Sequence, residues 1–319
     1  MTNLTKLSST QVKHAGRPLK DILDDFGADT SGQPFSFRNK IINGDCRVTQ
    51  RGSVSILNST SQYGAVDRHF ANLSATTVTA GTFGSTGMTS SSNLGCAILG
   101  ASTTGVTSGG IGQRIESLNS TCLNGKTVTF SCLVWHDFGS ATNISLRLFR
   151  ANTKDTFPAD FTGITQIGSS ATSSVAHSTL TKLTATWTLG QTDASNGLCV
   201  FIAFNTGALT NKNFVVGDLQ LEEGSIATPF EHRPYGTELA LCQRYYYKIA
   251  GSNYGAMYAN TGFMYTVFFP VTMRSLPTVT KTVTSGTFSS EHLSVDKWQG
   301  YYTGTNIGSV SSFSANIEL

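Results

Sequence analysis

The chain is 319 residues long, with only 13 % charged residues, a formal net charge of +3 and no run of Lys or Arg. Duplex binding normally needs a basic stripe that neutralises phosphates, so nucleic acid is a poor match as partner. No apolar stretch reaches the ~20 residues of a membrane helix, and the opening MTNLTKLSST lacks a signal-peptide apolar region, so neither membrane insertion nor export by that route is expected.

The length exceeds what most single cores hold, and the texture predicts three parts: an arm over 1–38, a β domain over 39–236 and a smaller β domain over 237–319. In the arm, VKHAGRPLKDILDDF (12–26) carries Leu19, Ile22, Leu23 and Phe26 at helical spacing, with Pro18 placed to open the turn. Two turns are too short to be stable alone, so these four residues read as an attachment or oligomerisation stripe.

The β domain opens on INGDCRVTQRG, read as a strand with Ile42, Cys46 and Val48 buried and Arg51-Gly52 at a turn. The Ser, Thr and Gly tract from Ala75 to Gly112 predicts strands joined by long surface loops. Clear strands follow: TVTFSCLVW (127–135), NISLRLF (143–149), KLTATWTL (182–189), LCVFIAF (198–204) and NFVVGDLQL (213–221). Val128, Phe130, Cys132 and Val134 share one face, and so do Ile144, Leu146 and Leu148. Without intervening amphipathic helices, this pattern predicts an antiparallel sandwich.

In GDLQLEEG, Asp218, Gln220 and Glu222 are expected on a wet face opposite Leu219 and Leu221. The following strap would seal the sandwich edge with Phe230 and Tyr235, while Arg233 pairs with Glu231 or Glu223. Arg114 and Glu116 of GQRIE are expected on one face, opposite Ile115. Beyond Pro234, TELALCQRYYYKI begins as a helix that should stop by Tyr247, before strand-like FMYTVFF and an alternating tail over 310–317. The cysteines at 46, 96, 122, 132, 199 and 242 lack zinc spacing, and most sit in apolar settings that suit buried free thiols.

Three strings go beyond generic β protein: INGDCRVTQRG; GQRIE followed by NGKTVTFSCLV; and FVVGDLQLEEGSIATPFEHRPYGTELALCQRYY. In that order, over about 38–250, the chain resembles phage tail-fibre and other virion structural proteins with a carbohydrate-binding-module-like jelly roll. The resemblance implies an all-β fold, a jelly-roll sandwich followed by a smaller C-terminal β domain with a short N-terminal arm or helix. It further implies a homo-oligomer, a trimer, assembled in the host cytoplasm into the virion beside other virion proteins. The implied role is a tail fibre or receptor-binding component engaging a host glycan or receptor. A capsid decoration or head-fibre protein and a glycan-depolymerising tailspike enzyme are the alternatives. No cofactor is implied, though the resembled class leaves room for a structural calcium.

Catalytic chemistry finds little support. Glu222 and Glu223 are adjacent on a strand and point to opposite faces, so they cannot flank one glycosidic bond, and nothing joins Asp67, Asp137 or Asp218 to them. His136 beside Asp137 has no serine elbow to serve and reads as a loop histidine, while His14, His69, His177, His232 and His292 are isolated. Aromatic clusters are better candidates, because sugar C–H faces stack on Trp and Tyr while hydroxyls need short polar partners. WQGYYTGTN, with Trp298, Tyr301 and Tyr302, and SNYGAMYANTG, with Tyr254 and Tyr258, have that mixture; packing is the competing role.

Overall fold

The computed structural model describes residues 13–14, 17–18, 37–254, 256–258, 262–283, 288–303 and 309–319, with side chains at 37–249, 264–283, 288–301 and 310–319. In chain order the first strands are β1 (Lys13–His14), β2 (Arg17–Pro18), β3 (Val54–Ser55), β4 (Gln62–Tyr63), β5 (His69–Gly87) and β6 (Leu94–Ile115). A short helix α1 (Ser117–Ser120) leads into β7 (Thr127–His136), β8 (Thr142–Ala151), β9 (Ile164–Gln166), β10 (Ala171–Val175), β11 (Thr181–Thr188), β12 (Leu198–Phe204) and β13 (Gly207–Glu223). After helix α2 (Tyr235–Gln243) come β14 (Tyr246–Tyr254), β15 (Ala256–Tyr258), β16 (Gly262–Phe268), β17 (Thr278–Val283), β18 (Phe288–Leu293), β19 (Lys297–Thr303) and β20 (Ser309–Asn316).

The fold is an all-β sandwich followed by smaller β-sheets. Its main sheet follows the order β10-β8-β12-β6-β13-β7-β11, and β6 makes it turn back on itself. Residues Gly109–Ile115 of β6 pair with β12, whereas Cys96–Val106 pair with β13, so one long strand belongs to two layers. Strand β5 follows β6 along its length, with register shifts near Ser74, Val78 and Ala80 that bend the hairpin. The two ends of the order meet, as β11 touches β8 and β10.

This overturns the long loops expected over Ala75–Gly112. The tract is two paired strands, in which threonine favours the extended backbone and hydroxyls pair across the ladder, as in Thr77 Oγ1 to Thr104 Oγ1 at 2.7 Å. The clear strands lie where the sequence put them. β12 coincides with LCVFIAF, and in β11 Leu183, Ala185 and Trp187 are buried while Lys182, Thr184, Thr186 and Thr188 are exposed. Val128, Phe130, Cys132, Val134, Ile144, Leu146 and Leu148 all join the core between the layers.

INGDCRVTQRG is a turn rather than a strand. Asn43 and Cys46 have positive φ (58° and 63°), and Asn43 bonds Val48 on both backbone groups, N–H to Oδ1 and Nδ2 to O, each at 2.9 Å. Ile42, Cys46 and Val48 are nonetheless buried. Gly44 is required there, since a Cβ would lie 2.2 Å from the Leu219 carbonyl oxygen.

The face of β13 expected to be wet is covered. Gln220 and Glu222 are buried beneath residues 38–39 and 228–231. Glu222 accepts bonds from Gln220 Nε2 (2.9 Å), Thr228 N–H (2.9 Å) and Thr228 Oγ1 (2.6 Å). Arg233, not Tyr235, closes this edge: it pairs with Glu231 and Glu238 and donates to the Ile41 and Asn39 carbonyls, while Tyr235 is 51 % exposed. Phe230 is only partly buried, and Glu223 pairs instead with Lys126.

Helix α2 ends at Gln243, within the limit the sequence set. The expected helix over 12–26 is contradicted at its start, where Lys13–His14 and Arg17–Pro18 pair antiparallel as short strands. Leu19, Ile22, Leu23 and Phe26 lie outside the described residues. The C-terminal strands form a three-stranded sheet, β14-β20-β17, and a four-stranded sheet, β15-β16-β19-β18, with a shared core of Tyr265, Val267, Phe269, Met273, Trp298, Val310, Phe313 and Ala315.

Candidate functional site

The two outer faces of the sandwich are treated differently. Over the β12 layer, Phe70, Cys199, Phe201 and Ala203 are covered by Ile42 and Val48, by Cys242 and Tyr245 at the end of α2, and by Leu319. Arg114 Nη1 and Tyr63 Oη both donate to the Leu319 carbonyl oxygen, at 2.5 and 2.9 Å. Glu116 accepts from Arg244, so Arg114 and Glu116 share a face as expected, Arg114 reaching Leu319 and Glu116 the residue after α2. With both faces covered, β12 is apolar throughout.

Over the β7–β13 layer a groove of about 540 Å3 remains open. Its floor is Leu99, Trp135, Asn213 and Val215; the end of β5 (Thr86, Gly87) and the β5–β6 turn (Met88, Thr89) form one wall, and Ser178 and Leu180 the other. Trp135 and Val215 are opposed in register. Met88 lies against Gly217, where a Cβ would meet its Sδ at 3.0 Å. The turn is pinned by Asp218, which accepts from Ser91 N–H at 3.0 Å and from the Ser91 hydroxyl.

The polar groups of the groove divide into two kinds. The Asn213 side chain is held in place: its Nδ2 donates one hydrogen to Asp137 Oδ2 (2.6 Å) and its Oδ1 accepts from Gly100 N–H (2.9 Å). The hydroxyls of Thr86 and Thr89 and the Trp135 indole N–H make no hydrogen bond among the described residues. Ser178 Oγ lies 3.1 Å from His177 Nε2, whose Nδ1 accepts from Gly139 N–H. With the Nε2–H donating, the Ser178 hydroxyl proton is left for a ligand. An indole with apolar neighbours and several hydroxyls can hold a ring that has a C–H face and a polar rim.

The residues singled out from sequence lie elsewhere. Trp298 is 1 % exposed, edge-on to Phe288 and tilted on Phe313, with Nε1 donating to Glu291 at 2.8 Å. It offers no face to a ligand, because β19 turns it into the C-terminal core. Tyr301 is partly buried on β19. Tyr254, Tyr258 and Tyr302 are described by backbone alone: Tyr258 and Tyr302 share the four-stranded sheet, one strand apart, and Tyr254 belongs to the three-stranded one. Trp135 was missed, although period two placed it on the face opposite Val128, Phe130, Cys132 and Val134.

His136 is not a loop histidine. It ends β7 fully buried, with Nε2 3.1 Å from the Val175 carbonyl oxygen and its ring stacked on Phe138; burial lowers its pKa. Asp67, Asp137 and Asp218 are tied to separate partners, Gln50, Asn213 and Ser91. Among the described residues no group of three or more His, Cys, Asp or Glu is placed to hold a metal ion, and no helix is long and apolar enough to cross a membrane.

No protein-family model matches the chain, and no curated protein matches its sequence. Among solved structures it is similar to the family 22 carbohydrate-binding module at the C-terminus of Clostridium thermocellum Xyn10B (12 % identity, 62 % of this chain and 100 % of that one, TM-score 0.37). It is also similar to the N-terminal CBM22-1–GH10 modules of that xylanase (12 % identity, 56 % of this chain and 30 % of that one, TM-score 0.34). A third likeness is to tailspike protein 4 of bacteriophage CBA120 (8 % identity, 59 % of this chain and 22 % of that one, TM-score 0.34). The match thus spans less than a third of the last two chains, and at these identities and TM-scores the likeness assigns neither ligand nor activity.

Proposed function

We propose that this chain is a non-enzymatic virion protein, a tail fibre or receptor-binding component, that contacts a host-surface glycan through the Trp135 groove. The observation that carries the glycan reading is the pairing, in one open groove, of the Trp135 indole with the hydroxyls of Thr86, Thr89 and Ser178. The virion reading rests on the three strings that resemble tail-fibre proteins. Several copies in one particle would make a weak individual site effective, because each further contact is intramolecular once the first has formed.

A binding role is favoured over hydrolysis because the groove is lined by no Asp or Glu, whereas glycoside cleavage needs two carboxyl groups about 5–10 Å apart. A glycan array probed with the full chain and with Trp135→Ala tests the reading. Saturable binding lost in the variant supports it, and binding that ignores the substitution sinks it. Immunogold labelling of particles separates the alternatives, since gold on the tail favours the fibre and gold over the head favours a decoration protein.

A further inference from the structure

Resting on the glycan reading above, we infer that the ligand of the Trp135 groove is an uncharged saccharide, and that the site selects against acidic and sulfated glycans. The ten residues that line the groove, Thr86 to Thr89, Leu99, Trp135, Ser178, Leu180, Asn213 and Val215, include no Lys, Arg, His, Asp or Glu. Nearby titratable groups are engaged or outside the lining, and the His177 ring beside Ser178 accepts from Gly139 N–H on Nδ1. Both oxygens of Asp137, two residues beyond Trp135, are held by Asn213 at 2.6 Å. Asp218 is held by Ser91, and Lys182, solvent-exposed on β11 and in register with Leu133, lies on the same face but outside the lining.

A carboxylate or sulfate brought into this groove would lose water and gain no cation from the lining, a loss that hydroxyl donors alone do not repay. Neutral sugar hydroxyls both donate and accept. They match Thr86, Thr89 and Ser178, which are themselves of that dual character, while the indole N–H adds one donor. The Asn213 amide, oriented by Asp137 and Gly100, keeps a second N–H and a second lone pair, the same neutral dual character as the hydroxyls.

Affinity electrophoresis of the full chain tests this, in native gels containing a neutral glucan or galactomannan, or alginate or dextran sulfate, at low and high NaCl. The expected result is retardation by a neutral polysaccharide that persists at high salt and weakens roughly tenfold or more in Trp135→Ala. Retardation by an acidic polysaccharide alone, dependent on Trp135, overturns the neutral selectivity and leaves the glycan reading intact. Retardation by polyanions alone that salt abolishes and Trp135→Ala does not change reflects the net positive charge, and overturns both. So does the absence of any retardation, or neutral binding that survives Trp135→Ala. Thr86→Val, an isosteric change in the partly buried β5 wall, separates loss of a hydroxyl from loss of fold: it should weaken neutral binding with an unchanged Tm.

Discussion

Arg68 and Glu318, 250 positions apart in the chain, form an ion pair in which the two side chains are only 1 % and 5 % exposed. The Arg68 guanidinium lies 3.5 Å from the centroid of the Tyr245 ring, and Arg51, 3.0 Å from the other Glu318 oxygen, lies 3.7 Å from that of Tyr246. The end of the described chain is thereby fastened to the sandwich by charge and aromatic contact together.

Removing one partner from this cluster leaves buried charge without compensation. Glu318→Ala should therefore lower stability by about 3–5 kcal/mol. The drop would be read as a fall in the urea midpoint. Replacing both partners, with Arg68→Met and Glu318→Leu, should recover most of the loss, and a double variant no better than the single one would contradict this assignment.

His69 supplies a pH dependence of definite sign. It is fully buried, with Nδ1 3.2 Å from the Asp67 carbonyl oxygen, and burial pushes its pKa down from 6.5 to about 4. The unfolded chain therefore binds the proton more readily between those values, so this contribution is present above pH 6.5 and is lost as pH falls toward 4. It amounts to on the order of 3 kcal/mol. Urea midpoints between pH 4 and 7.5 should slope less steeply in His69→Gln than in the parent.

Thiol reactivity should divide the six cysteines, five of which are buried and one, Cys122, exposed. Burial raises the pKa of Cys46, Cys96, Cys132, Cys199 and Cys242. A disulfide-exchange reagent at neutral pH should titrate one thiol rapidly and all six after denaturation. Cys122→Ser should abolish the rapid phase, and a persisting rapid phase would place a second thiol at the surface.

The two tryptophans Trp135 and Trp298 should fail in different ways. Trp298→Ala opens a cavity among Phe288, Phe313 and Tyr265 and should cost about 3–5 kcal/mol, seen as an earlier unfolding transition. Trp135→Ala, on a partly open face, should cost roughly 1 kcal/mol and remove glycan retention. The opposite pattern would return the site to the C-terminal sheets.

Period two by itself sorted the inward faces of β7 and β8, because alternation is a local property of an extended backbone, while β12 was legible as an apolar run with no alternation to sort. It also limited α2, where three consecutive tyrosines end the helical spacing. What alternation leaves open is the cover over each outward face. Gln220 and Glu222 read as wet and are buried, because residues 38–39 and 228–231 close over them. Trp298 read as a sugar platform and is core, because Phe313 packs on it from another sheet. Trp135 attracted no notice in sequence and is the floor of a groove, because the wall opposite Ser178 and Leu180 comes from the end of β5 and the β5–β6 turn, some 46 to 49 positions away. The strands were thus fixed by neighbours in the chain, whereas the site was fixed by which distant segments the folded β6 brings over one face and leaves off the other.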